Sequence, residues 1–435
     1  VVLRPLPANP TASSYLLPGF YVTSAIEGGI TPQFYPLHPT WQAIAFSLAG
    51  TVVAGVTAEL LVTGLWMFLA SLAIYLTARE LAGRVTAGLA LLGLSLMALQ
   101  VWFARYPTTE ALTQFLIWAG LWAVLMWLGQ RQPAPLWAFL GGMTLGSVFL
   151  VRIDVLIMLP LIVFLIVALW ARGWRKSDWW FVIPFALLVA HSFAHAIWLS
   201  APYFYEHIGF GLLLLRQNWW IPLSSIILSI IFLLIVYFMR GRFAALRRFR
   251  RPLLAMLIGG VLLFALYGWF IRPIVAGPTW QADAFSGGSL LLTNHENWLR
   301  LGWYLSPLGL GLAVLGSCLL LWRVQWKSAL LLAVGFLFAA VYLWNVRANP
   351  HQVYVMRRYV PVVAPFFIFA AAYLLGDLLQ RARHLQKKAS SWAVPLLTAA
   401  MVLSVIWLAG LGWSARGFVS QIDHQGLLTQ LVELN

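Results

Sequence analysis

Residues 323–388 read RVQWKSALLLAVGFLFAAVYLWNVRANPHQVYVMRRYVPVVAPFFIFAAAYLLGDLLQRARHLQKK. Two apolar runs stand out, 328–345 and 359–379. Each approaches the roughly 20 residues that a helix rising about 1.5 Å per residue needs to cross a hydrocarbon core of about 30 Å. Arg323 and Lys327 precede the first run, and Arg381, Arg383, Lys387 and Lys388 follow the second. The connection between the runs holds Arg347, Arg357 and Arg358. In lipid, backbone N–H and C=O groups have no water to bond, so runs of this length fold as helices that satisfy those groups internally. The stretch reads as two crossings of a polytopic helical membrane protein.

The pattern extends in both directions. Hydrophobic residues make up 62% of the 435 and charged residues 9%, with 24 tryptophans, which leaves no polar stretch long enough for a water-soluble domain. Apolar runs between charged or Pro/Gly breaks give about twelve spans, near 58–78, 85–103, 111–129, 135–151, 153–171, 179–200, 220–239, 253–271, 303–322, 328–345, 359–379 and 391–413. The stretch 135–171 is too long for one crossing and is predicted to fold back at Arg152-Ile153-Asp154. The expected fold class is all-α, a single integral membrane domain over 1–435. It comprises an outer loop at 1–57 with an interfacial helix, transmembrane helices over 58–413, and an outer tail at 414–435. The lone Cys318 lies inside an apolar span and forms no intrachain disulfide. The chain opens at Val1 with neither methionine nor a signal-peptide pattern and reads as a fragment whose first helix lies upstream.

A formal charge of +16 would suggest a nucleic-acid partner in a soluble protein, but here most basic residues cap spans, so nucleic acid is not an expected partner. Alternate connections sort by charge. One set holds eighteen of the 28 Lys and Arg residues: Arg79, Arg84, Arg131, Arg172, Arg175, Lys176, Arg240, Arg242, Arg247, Arg248, Arg250, Arg251, Arg323, Lys327, Arg381, Arg383, Lys387 and Lys388. By the positive-inside bias these connections are cytoplasmic. The other side receives the long segments 1–57, 104–110, 201–219, 272–302, 346–358 and 414–435, with nine of the twelve acidic residues on or near it. The protein is expected in the cell membrane as a multi-pass chain with its working face extracytoplasmic.

The residues suited to chemistry collect on that face. In Gln33-Phe34-Tyr35-Pro36-Leu37-His38-Pro39-Thr40-Trp41-Gln42-Ala43, two prolines hold His38 rigidly at the start of a helix expected to lie along the interface over 42–56. A neutral imidazole there can donate, accept or ligate a metal; the plainer alternative is a histidine that caps the helix and packs on Trp41. In Trp102-Phe103-Ala104-Arg105-Tyr106-Pro107-Thr108-Thr109-Glu110-Ala111, Thr108 or Thr109 can cap the following helix. Glu110 suits the positive end of its dipole, yet a carboxylate at the membrane boundary also suits sugar hydroxyls, a metal ion or an acceptor proton. Arg347, Arg357 and Arg358 lie outside against the charge bias, where a phosphate or ordinary lipid headgroups can hold them. Arg152 and Asp154 are expected to neutralise each other in their turn. His295-Glu296 is a weak metal signal, and no phosphate-cradling Gly-rich loop, Cys/His cluster or Ser-His-Asp spacing is present.

Three of these stretches resemble landmarks of the GT-C superfamily of membrane glycosyltransferases that use polyprenyl-phosphate sugars, the group containing protein O-mannosyltransferases and lipid A aminoarabinose transferases. His38-Pro39 after an aromatic stretch resembles its His-Pro-Pro element, with Thr40 in place of the second proline. The stretch from Ala104 to Ala111 resembles its Arg-x-x-x-Ser-Glu turn, and Arg358-Tyr359-Val360-Pro361 resembles its Arg-Tyr-x-x-Pro helix start. The resemblance implies catalytic roles for Glu110 and His38 and substrate binding by Arg105, Arg357, Arg358 and Tyr359. The implied partners are a polyprenyl-phosphate-sugar donor, an acceptor that is a protein, lipid or glycan, and the bilayer itself. It requires no cofactor and leaves a divalent cation open. In that superfamily an acidic residue just after the first helix serves as base. Glu27 is the one carboxylate ahead of His38 and does not match that position, so the base is expected upstream of Val1. The rival class is a multi-helix lipid or solute transporter or flippase, which should show internal repeats and ionisable residues at mid-membrane. The spans here are nearly free of charge at their centres.

Overall fold

The computed structural model describes residues 20–24, 29–32, 34–130, 132–218, 247–282, 289–346 and 352–419, together with 220, 223, 224 and 227. The predicted span 220–239 and the residues Glu27, Arg131, Arg240, Arg242 and Arg347 lie outside this description or mostly so. The helices are α1 (Leu37–Leu48), α2 (Val52–Leu96), α3 (Ala98–Phe103), α4 (Thr109–Gly129), α5 (Pro135–Ser147), α6 (Leu159–Ala171), α7 (Trp179–Trp198), α8 (Ala201–Gln217), α9 (Arg250–Leu266), α10 (Asn297–Leu305), α11 (Pro307–Trp322), α12 (Ala329–Trp344), α13 (Gln352–Tyr359), α14 (Val363–Lys387) and α15 (Ala393–Val419). Two short antiparallel hairpins accompany them, β1 (Phe20–Ser24) with β2 (Gly29–Pro32) and β3 (Thr279–Ala282) with β4 (Ser289–Leu292). The chain is an all-helical polytopic membrane protein.

Among the described residues eight helices are long and apolar enough to cross a membrane, nine if one bent pair counts as a span. Four features separate this number from the twelve runs in the sequence. The run 220–239 falls outside the description. The run 135–151 is α5 plus a single 3-10 turn at Val148–Leu150, too short to cross alone. The run 303–322 is broken at Ser306, where α10 and α11 meet at 103°. Ser306 takes a left-handed φ of 62° and its hydroxyl accepts from Gly309 N at 3.1 Å, which caps α11 ahead of Pro307.

The fourth feature is α2, which counts as one long helix but is a hairpin of two. Gly83 has φ 85° and ψ 178°, a conformation open to glycine alone, and it reverses the chain in the charged gap between Arg79 and Arg84. The reversal brings the Gln100 amide to Ser71 Oγ at 3.2 Å and lays Gly64 near the Ala104 carbonyl. The separate readings 58–78 and 85–103 therefore describe the molecule better than one helix does. The interfacial helix starts earlier than its expected 42–56: α1 begins at Leu37, tolerates Pro39 in its first turn where no N–H is needed, and stops at Gly50 (φ 77°). Thr51 then caps α2, accepting from Ala54 N.

The two ends of the bundle separate by charge as the sequence suggests. Lys327 pairs with Glu80 at 3.1 Å, Asp377 with Arg323 and Arg381, Arg250 reaches the Val324 carbonyl, and the Gln380 amide reaches the Ala82 carbonyl. These contacts gather the basic connections at one end. The other end holds His38, Arg105, Glu110, Arg152, Asp154 and the two arginines of α13. α14 runs between the ends as the central helix, its first half buried throughout. Lipid tails are as apolar as the helices, so close contact rather than water exclusion holds the bundle. Glycines provide it: a Cβ at Gly316 would overlap the Ala370 carbonyl, and one at Gly376 would overlap the Thr86 hydroxyl.

Candidate active site

Glu110 stands in the first turn of α4, as its position after Pro107 and Thr108 predicts. It is completely buried, and dipole complementarity alone does not require that. Thr108 takes the extended N-cap conformation, but its side chain makes no cap hydrogen bond to the helix. Glu110 instead meets two arginines from distant parts of the chain, and both bond the same oxygen. Arg152 Nη1 donates to Glu110 Oε1, and Arg357 Nε donates to that oxygen at 2.7 Å.

Arg152 is the bridge. It sits in the turn after the 3-10 end of α5, and its guanidinium forks onto Asp154, Nε to Oδ1 at 2.9 Å and Nη2 to Oδ2 at 2.7 Å. Its remaining nitrogen serves Glu110 and the Thr109 hydroxyl at 3.2 Å. Asp154 also accepts from Arg358 Nη1 at 2.5 Å and from the Tyr342 hydroxyl at 2.9 Å. The expected neutralisation of Arg152 by Asp154 is thus present, within a larger network that local sequence did not show. Burial opposes the charge on Arg152, and Asp154 and Glu110 outweigh it, holding the guanidinium above its ordinary pKa. Arg358 is raised in the same way, with burial opposed chiefly by Asp154. Among the described residues three guanidiniums, Arg152, Arg357 and Arg358, thus converge on two carboxylates, with Glu110 and Arg152 buried and the side chains of Arg357 and Arg358 22% and 26% exposed.

Two groups in the site are left without partners. Glu110 Oε2 accepts no hydrogen bond of standard geometry, although the Thr108 hydroxyl lies close to the carboxylate. His38, 3% exposed, makes no such bond through either ring nitrogen. Burial lowers the His38 pKa from its ordinary value, and Glu110 and the Pro107 carbonyl oppose that only in part, so the ring is neutral at pH 7. Trp41, three residues on along α1, stands edge-on to Trp66 at 5.3 Å. One turn deeper, Gln114 donates to Gln100 at 3.3 Å while its own Oε1 is also unpartnered. Tyr203, edge-on to Tyr35 at 5.5 Å, adds an aromatic wall; burial raises its pKa, and it senses Arg152 and Asp154.

The structure brings together four of the six residues expected from the sequence, Glu110, His38, Arg357 and Arg358. Two stand apart. Arg105 donates to the carbonyls of Phe418 at 2.8 Å and Val419 at 3.3 Å, tying its turn to the end of α15. Tyr359 is fully buried, with its hydroxyl 3.4 Å from the Asn297 carbonyl, so it anchors α13 on α10 rather than facing the site. Arg152, Asp154 and Tyr342 are members that the sequence reading did not assign. Their signal was an oppositely charged pair two residues apart inside an otherwise apolar stretch. Among the described residues no three His, Cys, Asp or Glu side chains converge as metal ligands. His295 and Glu296 approach to 3.7 Å, and Glu296 is taken up by Arg300 at 3.1 Å.

No protein-family model matches the chain, and no curated protein matches it. Among solved structures it is similar to the apo oligosaccharyltransferase of Archaeoglobus fulgidus, with a TM-score of 0.49 and 14% identity over 89% of this chain and 48% of that one. It is also similar to ArnT from Cupriavidus metallidurans bound to undecaprenyl phosphate, with a TM-score of 0.31 and 15% identity over 81% of this chain and 69% of that one. The chain spans about half the length of the oligosaccharyltransferase it matches.

Proposed function

We propose that the chain is a membrane glycosyltransferase that moves a sugar from a polyprenyl-phosphate donor to an acceptor on the extracytoplasmic face. The observation that carries this reading is the network of Glu110, Arg152, Asp154, Arg357 and Arg358, in which buried carboxylates hold two partly exposed guanidiniums in fixed positions near His38. A polyprenyl-phosphate sugar is a phosphodiester with one negative charge, which fixed guanidiniums suit. Arg357 and Arg358, at the open edge of the network, are the guanidiniums assigned to the phosphate. Asp154 already accepts from two arginines and a tyrosine, so its role is to fix their positions.

Transfer follows as one displacement. The acceptor oxygen attacks the anomeric carbon, the bond from that carbon to the phosphate oxygen breaks, and the electron pair leaves with the phosphate. Fixed guanidiniums stabilise the charge that develops there, because they need no reorganisation as the bond breaks. The acceptor proton passes to a carboxylate base, and we assign Glu110 and His38 to the wall of the cavity in which the acceptor hydroxyl sits. Inversion at the anomeric carbon results. Charged side chains among the described residues gather at the ends of the spans, which supports an interfacial enzyme over a transporter.

The test is sugar transfer from a labelled polyprenyl-phosphate donor to membrane acceptors with the full-length protein. Glu110→Gln should lower turnover by about a hundredfold or more while the protein still folds. Arg357→Gln with Arg358→Gln should weaken donor binding. Unchanged turnover and unchanged donor binding in these variants would overturn the reading.

A further inference from the structure

Between α9, α11 and α12 lies a cavity of about 650 Å³ that the proposed reaction does not use. Its side-chain wall is carbon apart from the Ser317 hydroxyl and the Trp298 indole N–H, and both are buried without a partner. Two separated polar atoms give water along that wall almost nothing to bond, so the surface favours hydrocarbon over water. The lining runs from Leu254 to Phe264 on α9 and from Ala329 to Leu343 on α12. At about 1.5 Å per residue those stretches are roughly 15 and 21 Å long, one leaflet's half of a core of about 30 Å and somewhat more. The end at Leu254, Val324 and Ala329 belongs to the basic end of the bundle, opposite the Glu110–Asp154 network. Arg250 and Arg251 stand exposed beside it, and Arg250 Nη2 reaches the Val324 carbonyl at 2.6 Å.

We propose that this cavity binds an anionic phospholipid from the leaflet at the basic end, one acyl chain lying between α9, α11 and α12 and the phosphate resting at Arg250 and Arg251. The carbon wall selects a hydrocarbon chain, since every methylene that enters replaces a surface water cannot satisfy. The paired arginines select a negative headgroup over a zwitterionic one. The phosphate end lies away from the reactive network, while the far end of the cavity reaches Leu343, next to Tyr342 of that network. Competition with polyprenyl phosphate therefore separates this lipid from the glycosyl donor.

Gly260 provides a clean probe. It lines the cavity, and a Cβ built on it meets nothing within 4 Å, so Gly260→Phe fills the space without moving the backbone. The experiment places the protein in phosphatidylcholine nanodiscs doped with phosphatidylglycerol that carries a photoreactive group at the end of an acyl chain. Irradiation should label α9, α11 and α12. Gly260→Phe should cut labelling about tenfold or more, as expected when roughly two buried methylenes are displaced. Arg250→Gln with Arg251→Gln should cut it roughly fivefold or more, while labelling by the equivalent photoreactive phosphatidylcholine stays constant. Undiminished labelling of the Gly260→Phe protein would overturn the proposal, as would equal labelling of the wild type by both lipids. Displacement of the label by equimolar polyprenyl phosphate would assign the cavity to the donor chain and overturn it as well.

Discussion

Arg152→Gln tests the network against the simpler pairing of Arg152 with Asp154. The substitution removes a two-pronged ion pair to Asp154 and the contacts to Glu110 and Thr109. Removing one partner of a buried pair costs about 3–5 kcal/mol when it strands the other charge. Here Asp154 keeps Arg358 and Tyr342, and Glu110 keeps Arg357, so the cost should fall near the lower figure, about 3 kcal/mol. Glu110→Gln alone should cost about 2–3 kcal/mol by the same reasoning, since Arg152 retains Asp154. With both substitutions the Glu110–Arg152 attraction is lost only once, so the double variant should be less destabilised than the sum by about 1–3 kcal/mol. Equilibrium unfolding in mixed micelles, followed by tryptophan fluorescence for the wild type and three variants, measures that coupling. Costs that add to within about 0.5 kcal/mol would refute the bridge and leave Arg152 paired with Asp154 alone.

Arg105→Gln should leave transfer near the wild-type rate and cost about 1 kcal/mol of stability or more, because its guanidinium is held by two carbonyls at the end of α15; a hundredfold loss of turnover at full donor saturation would return Arg105 to the site. His38 has a folded pKa below its ordinary 6.5, so the unfolded chain takes up a proton near 6.5 that the folded chain refuses. Its contribution to stability is complete above about pH 6.5 and falls as pH drops toward the folded pKa, a decline that His38→Gln should flatten in unfolding measurements from pH 7.5 to 5. Cysteines placed singly at Trp280 and Trp326, in a Cys318→Ala background, should react with an impermeant maleimide on intact cells at 280 and not at 326; the reverse pattern would invert the orientation.

The apolar runs were legible because crossing a bilayer demands length and composition that few other structures need, and the charge gaps between runs located most turns. The gap holding Arg79, Glu80 and Arg84 marked the reversal that Gly83 executes. Local breaks were harder to read. The bend at Ser306 rests on one positive φ and one hydroxyl cap, and Ser-Pro at a helix start also fits a straight entry. The register of α1 turned on Gly50 and Thr51, residues that the apolar pattern passes over.

The site divides along the same line. Glu110, His38, Arg357 and Arg358 stood out locally, each a polar group at the end of an apolar run. Their pairings did not, because the partners lie 42, 188, 204 and 247 residues apart in the chain and meet only when α4, α5, α12 and α13 pack at one end. Charge balance narrows the choice nonetheless. A buried arginine in a membrane protein needs an anion, and Glu110 and Asp154 stand at the end of the bundle that holds Arg152, Arg357 and Arg358. Arg357 and Arg358 keep their side chains 22% and 26% exposed at the edge of that network, with Glu110 and Arg152 buried behind them. The reading proposed above sets the donor's phosphate at those two guanidiniums, whereas a simple lipid headgroup contact would require neither the bridge at Arg152 nor the burial of Glu110.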